Sequence, residues 1–99
     1  MSDKPLFIPL NGEYYDAFVA GTKNTEYRPN GPKWNKEVCY PGREVVISRG
    51  YGKQHRRSGI IKRFYTSWEP TKGEDWQKLY GEKHAGVPAA CIEIELEGE

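Results

Sequence analysis

The sequence lacks any apolar run long enough to cross a lipid bilayer, since a membrane-spanning helix needs about 20 apolar residues in succession. The first residues also lack the basic and then apolar segment of a secretory signal. We therefore expect a cytoplasmic protein with no membrane partner.

Cysteine is scarce, and neither Cys39 nor Cys91 has a second cysteine or a histidine at the spacing of a zinc motif. His55 and His84 could complete a set of four ligands only through tertiary contacts. The simpler interpretation is two reduced, partly buried thiols. The sequence thus predicts no metal site and no bound cofactor.

Acidic residues are missing from one continuous segment, between Glu44 and Glu69. All the charged residues of that segment are basic: Arg49, Lys53, Arg56, Arg57, Lys62 and Arg63. The compensating acids gather near the C-terminus, in Glu93, Glu95, Glu97 and Glu99. Although the formal net charge is only +1, the chain can present one basic face and one acidic edge.

Aromatic residues make up 13% of the chain, which excludes a disordered protein because disordered segments lack such core-forming side chains. The length of 99 residues suits a single domain spanning 1–99. A chain of this size buries roughly two-thirds of its unfolded surface, enough for one core without disulfides.

The apolar pattern predicts an α+β fold. Strands are expected at 6–8, 25–28, 44–48, 59–68 and 92–97. One helix should begin after Asn11, which can cap it, and should end at Gly21. A second helix should cover about 74–84, with Trp76 and Tyr80 on its apolar side. Short strands with two helices indicate a small β-barrel of about five to six strands with two helices packed beside it.

The segment after the first helix carries three charged side chains, Lys23, Glu26 and Arg28. Residues two apart on a strand share a face, so Glu26 and Arg28 should point the same way, with Lys23 leaning over them from the turn. Such a set can bind phosphate through Arg28, accept a hydrogen bond from a base through Glu26, and use Lys23 as a polarising group or base. The alternative is a plain Glu26–Arg28 ion pair with Lys23 in solvent.

This segment resembles the signature of the ASCH domain, a G-x-K-x-x-E-x-R pattern that follows the first helix, with Gly21, Lys23, Glu26 and Arg28 at its four defining positions. The later order of turns, strands and helix is also similar, so the resemblance covers most of the chain. It implies a PUA-like β-barrel with the motif lining a cleft beside the helices. It also implies RNA binding or RNA modification, since some relatives hydrolyse N4-acetylated cytidine and one group cleaves RNA.

One position departs from the hydrolytic relatives. Those amidohydrolases are expected to carry a threonine three residues after the motif lysine, where this chain has Glu26, and Thr25 lies one position early on the opposite strand face. They also use a glutamate from the following helical region, for which Glu74 and Glu82 are candidates. If the protein is an enzyme, we expect Lys23 and Glu26 to be its catalytic residues.

A basic loop with flexible glycines gives a second candidate surface. Cations that contact phosphates and rings that stack on bases are typical of nucleic-acid surfaces. The residues expected to bind RNA there are Arg49, Tyr51, Lys53, Arg56, Arg57 and, from a neighbouring loop, Trp34. The alternatives are a solvated hairpin and, for Trp34, a plug of the barrel mouth, which we prefer because tryptophan is mostly buried. Trp68 and Trp76 should belong to the core.

Three functions remain open. The preferred one is a binding module that holds RNA or a nucleotide through Lys23, Glu26 and Arg28. The second is a hydrolase of the same family, acting on N4-acylated cytidine or on RNA. The third is a non-catalytic interaction module, in which the acidic C-terminal strand forms a sheet edge that pairs with a partner protein.

Overall fold

The computed structural model describes residues 4–98, apart from the side chain of Glu82. The chain forms five strands and two α-helices, in this order: β1 (Leu6–Leu10), α1 (Gly12–Ala20), β2 (Thr25–Pro29), β3 (Glu44–Arg49), β4 (Arg56–Ser67), α2 (Glu74–Leu79) and β5 (Ala89–Leu96). Short 3-10 helices, Glu69–Lys72 and Gly81–His84, flank α2. The predicted α+β class, with five strands and two helices, is confirmed.

All five strands belong to one curled sheet, with the spatial order β1-β3-β4-β5-β2. β1 runs parallel to β3, and the other three pairs are antiparallel. β1 and β2 are therefore the two edges of a half-barrel. β5 pairs with β4 on one side and β2 on the other, so the prediction that the acidic C-terminal strand is an edge is wrong.

The ends of α1 follow from its capping residues, as predicted. The side chain of Asn11 accepts a hydrogen bond from the backbone N–H of Tyr14 at 2.8 Å. Gly21 ends the helix in the left-handed conformation, at φ 83°, and its N–H bonds to the carbonyl of Phe18 at 3.1 Å. The helix buries Tyr15 and Phe18.

Three predictions about the second half of the chain are wrong in detail. α2 ends at Leu79, because Gly81 takes a positive φ of 50° and the chain continues as a 3-10 helix. β4 begins at Arg56 and not at Gly59, since pairing with β3 extends the strand into the basic segment. Trp68 is 52% exposed because the chain turns away from the sheet after Ser67.

The core lies on both faces of the sheet. The larger cluster, on the side of α1, includes Ile8, Ile47 and Ile92, all fully buried. A smaller cluster on the opposite face joins Trp76 of α2 to Ala89 and Cys91 of β5. Residues 89–92 of β5 are therefore buried on both faces, whereas the alternation of the sequence predicted a half-buried strand.

No helix within residues 4–98 combines the length and the apolar character that crossing a membrane requires.

Gly59 marks a close approach between β4 and β5, and it gives a test of the sheet. A Cβ atom at this position would lie 2.7 Å from the carbonyl oxygen of Glu95. We expect Gly59→Ala to lower the free energy of unfolding by about 1–3 kcal/mol, as overpacking against backbone does. Gly52→Ala is the matched control, because a Cβ atom there meets nothing within 4 Å. Urea denaturation of both variants measures the difference, and equal stabilities would contradict this packing.

Candidate functional site

The turn after α1 fixes the position of Lys23. The backbone N–H groups of Thr22 and Lys23 both donate to the carbonyl of Ala17, at 3.0 and 3.2 Å. The carbonyl of Asn24 then accepts a hydrogen bond from Ile94 of β5 at 2.8 Å. The charged segment is therefore held against both the helix and the sheet.

Glu26 is the buried carboxylate of the site, with a relative exposure of 5%. Its Oε2 accepts a hydrogen bond from Nε of Arg28 at 2.7 Å, and its Oε1 lies 4.0 Å from Nζ of Lys23. Burial raises the pKa of Glu26, because the loss of water disfavours the charged form more than the neighbouring cations favour it. Glu26 and Arg28 share a strand face, as predicted.

Arg28 points into the half-barrel and not into solvent. Its Nη2 donates to the carbonyl of Pro9 in β1 at 2.5 Å, and its guanidinium lies 4.8 Å from the ring centroid of Trp34. Two of its three nitrogens are thus bound within the protein. Arg28 joins β2 to β1 across the open side of the sheet and orients Glu26. The expected contact between Arg28 and a phosphate group stays a prediction.

The ammonium group of Lys23 lies among aromatic rings. Its Nζ is 4.8 Å from the ring centroid of Tyr27, 5.1 Å from that of Tyr14 and 5.7 Å from that of Phe18. The side chain is only 19% exposed. This burial lowers the pKa of Lys23, although the charge of Glu26 partly opposes the shift. Lys23 is therefore neither a solvated surface lysine nor a simple ion-pair partner.

Lys23 and Glu26 line a cleft of about 460 Å³. This volume falls within the roughly 300–1,000 Å³ that small-molecule sites occupy. Its walls come from α1 and β2 on one side and from the segment 70–80 on the other. Four polar aromatic residues shape it: Tyr14, Tyr27, Trp76 and Tyr80. Carboxylates of α2, Glu74 and Asp75, also line the cleft.

The aromatic residues that line the cleft were not among the site residues predicted from the sequence. Trp76 and Tyr80 fitted an apolar helix stripe, and such a stripe does not show which of its rings border a cavity. Trp76 and Tyr80 contact each other, with ring centroids 4.6 Å apart. Burial raises the pKa of the Tyr14 and Tyr80 hydroxyls, so both are donors at neutral pH.

The residues that amidohydrolase chemistry would require are only partly present in the cleft. Thr25 donates its hydroxyl to the side chain of Asn24 at 2.7 Å and does not line the cleft with Glu26. Glu74, one of the two candidates for the helical glutamate of the amidohydrolases, does line the cleft. The side chain of Glu82 lies outside the described part of the chain.

The basic loop is not part of this cleft. Arg49, Tyr51, Lys53, Arg56 and Arg57 are all absent from its lining.

Most of the side chains of the basic loop are engaged within the protein. Arg49 pairs with Asp16 at 3.3 Å, and Arg56 donates to the carbonyl of Gly52 at 3.1 Å. Arg57 lies in β4, where its Nη2 is 3.5 Å from the carbonyl oxygen of Glu97. Tyr51 is 80% exposed, and Lys53 is also exposed. Arg49 and Arg56 are exposed as well, and Arg57 is half-buried.

Trp34 is buried in the core, with a relative exposure of 7%, which confirms the interpretation as a plug. Trp76, at 6%, is also buried, as predicted.

Cys39 and Cys91 are free and buried in separate clusters. Burial raises the pKa of each, which keeps both as uncharged thiols. Among the described side chains of residues 4–98, which leave out that of Glu82, no three of His, Cys, Asp or Glu come together at a site that could hold a metal ion.

Comparison of the chain with models of known protein families and with curated proteins finds no match. The site is therefore interpreted from its own geometry.

The hydrogen bonds of Arg28 with Glu26 and with the carbonyl of Pro9 give a test of the site. Removing one partner of a buried ion pair costs about 3 kcal/mol or more, because the other charge is left buried and unpaired. We expect Arg28→Met to lower the free energy of unfolding by about that amount. The control is Arg49→Met, which breaks an exposed pair and should cost less than about 1 kcal/mol.

Urea denaturation of the two variants measures this difference. The double change Arg28→Met with Glu26→Met should recover part of the loss, because it also removes the unpaired carboxylate. If Arg28→Met and Arg49→Met lower the free energy of unfolding equally, the buried contacts of Arg28 contribute no more to stability than an exposed ion pair.

Proposed function

We propose that this protein is an ASCH-type domain that binds RNA or a nucleotide and holds one nucleobase in the aromatic cleft. The observation that carries the proposal is the pairing of Glu26 and Lys23, 4.0 Å apart, inside a cleft with four aromatic walls. A flat ring with a polar edge is the ligand chemistry that fits such walls. The proposal includes a PUA-like relationship for the half-barrel and a cytoplasmic location.

The G-x-K-x-x-E-x-R pattern supports this proposal in addition to the geometry of the cleft. Gly21 ends the helix, Lys23 and Glu26 reach the cleft, and Arg28 orients the carboxylate. Each position of the pattern thus has a separate physical task. The curled five-stranded sheet with two helices is compatible with the small barrel that the resemblance implies.

In this proposal the base stacks between rings and its polar edge meets the two charges. Arg28 occupies Oε2 of Glu26, so Oε1 accepts from an N–H of the base while Lys23 donates to a neighbouring nitrogen or carbonyl oxygen. Stacking on aromatic side chains contributes about 1–3 kcal/mol per base. The loop with Tyr51 and Lys53, which does not line the cleft, would contact phosphates of a bound RNA strand.

Binding is tested with nucleoside monophosphates of the four bases and short single-stranded RNAs, by titration calorimetry and by NMR shifts of the cleft residues. Lys23→Met or Glu26→Gln should weaken binding about tenfold or more, since the first removes a charged donor and the second replaces a charged acceptor by a neutral amide. Lys62→Met and Glu95→Gln are matched controls, because they change an exposed Lys–Glu pair 3.8 Å apart. If all four variants bind alike, or if no nucleotide binds, the proposal is wrong.

A second candidate is hydrolysis of an acylated cytosine in the same cleft. The observation that favours it is the desolvation of Lys23, which lowers the pKa of its amine and raises the uncharged fraction that can act as a base. Lys23 would take a proton from water as the water attacks the amide carbonyl, and would return it to N4 as the C–N4 bond breaks, so that the products are cytidine and the free acid. Glu26, in place of a threonine, makes this the weaker candidate.

Lys23→Arg separates the two candidates, because arginine keeps the charge but cannot lose its proton. With N4-acetylcytidine as substrate, a hydrolase should lose nearly all turnover in Lys23→Arg and keep substrate binding. Turnover of the unchanged protein should rise with pH through a pKa below that of an ordinary lysine. Lys62→Arg is the control, and full turnover in Lys23→Arg would exclude Lys23 as the base.

A further inference from the structure

We infer that a second cavity beside the cleft binds the adjacent nucleotide and its phosphate, so that the ligand is a single-stranded RNA and not an isolated nucleoside. This inference rests on the proposed function of the cleft. The second cavity has a volume of about 580 Å³ and is formed by the segment 29–34 and the segment 80–87.

The two cavities share one wall, the side chain of Tyr80. This ring is the middle member of an aromatic ladder made by residues four apart. Trp76 and Tyr80 have centroids 4.6 Å apart, and Tyr80 and His84 meet edge to face at 5.6 Å. Trp76 lines the cleft and His84 lines the second cavity, so the ladder runs from one to the other. Bases on either side of Tyr80 would each meet an aromatic ring.

The two cavities differ in the sign of the charged residues in their walls. The cleft has the carboxylates of Glu74 and Asp75 in its wall, which disfavour a phosphate on that side. The described lining of the second cavity contains Lys33, Lys83 and His84 and no carboxylate. A phosphate attached to a base in the cleft is therefore favoured on the second side of Tyr80.

The second cavity also has a fixed, partly apolar wall that suits a ribose or a base. Pro29, Pro32 and Val87 line it together with Trp34. The loop that carries the prolines is tied in place, since the N–H of Asn30 donates to the carbonyl of Pro88 at 3.0 Å. The N–H of Gly31 bonds to the carbonyl of Trp34 at 2.9 Å. The cavity is thus formed without the ligand, which reduces the entropy cost of binding.

The test compares each nucleoside, which carries no phosphate, with the dinucleotide of the same base, by calorimetry over a series of salt concentrations. The double variant Lys33→Ala with Lys83→Ala removes two cations of the second cavity. The control is Lys62→Ala with Lys78→Ala, which removes the same charge from exposed positions outside both cavities. Thermal unfolding confirms that both double variants are folded.

We expect the dinucleotide to bind about tenfold more tightly than the nucleoside, a difference of about 1.4 kcal/mol. The Lys33/Lys83 double variant should abolish this gain and leave the affinity for the nucleoside, which carries no phosphate, unchanged within about twofold. It should also reduce the slope of log K against log salt by about 0.7 for each phosphate that the removed lysines had neutralised. The control should retain both the gain and most of the slope.

Three results would overturn the inference. Equal affinity for nucleoside and dinucleotide would leave the proposed function of the cleft standing and exclude the second cavity. If the dinucleotide keeps the same gain in affinity in both double variants, the extra affinity comes from another surface. If neither ligand binds, the proposed function fails and the second cavity fails with it.

Discussion

The guanidinium group of Arg28 is the interaction on which the site depends. The sheet is curled but open, and its two edge strands, β1 and β2, are not neighbours in the strand order. Arg28 connects them, since it donates to the carbonyl of Pro9 in β1 and to Glu26 on its own strand. Because the same group holds the carboxylate by one oxygen, the other oxygen is left toward Lys23 and the cleft.

A buried carboxylate beside a desolvated lysine is costly for folding, and the rings around Lys23 reduce that cost. Cation–π contacts with Tyr14 and Tyr27 replace part of the water that the ammonium group loses. Burial nevertheless raises the pKa of Glu26 and lowers that of Lys23, so both charges are held in a less favourable state than in water. Perturbed pairs in a cleft are typical of functional sites.

The placement of α2 explains both the cleft and the division of charge. Its acidic first turn, with Glu74 and Asp75, borders the cleft, while the basic residues Lys83 and His84 follow after the turn at Gly81. Tyr80 lies between these acidic and basic residues in the chain and lines both cavities.

The sequence by itself determined the local elements and part of the site. Asn11 and Gly21 set the ends of α1, strand alternation placed Glu26 and Arg28 on one face, and the apolar pattern indicated a small α+β fold. These features depend on residues that are neighbours in the chain. Tertiary structure decided which strands form the sheet edges, that Trp68 is exposed, and that rings from α1, β2 and α2 surround the cleft at Lys23. Periodicity shows only that a face is apolar, and whether another element covers it or leaves a cleft depends on contacts between distant segments.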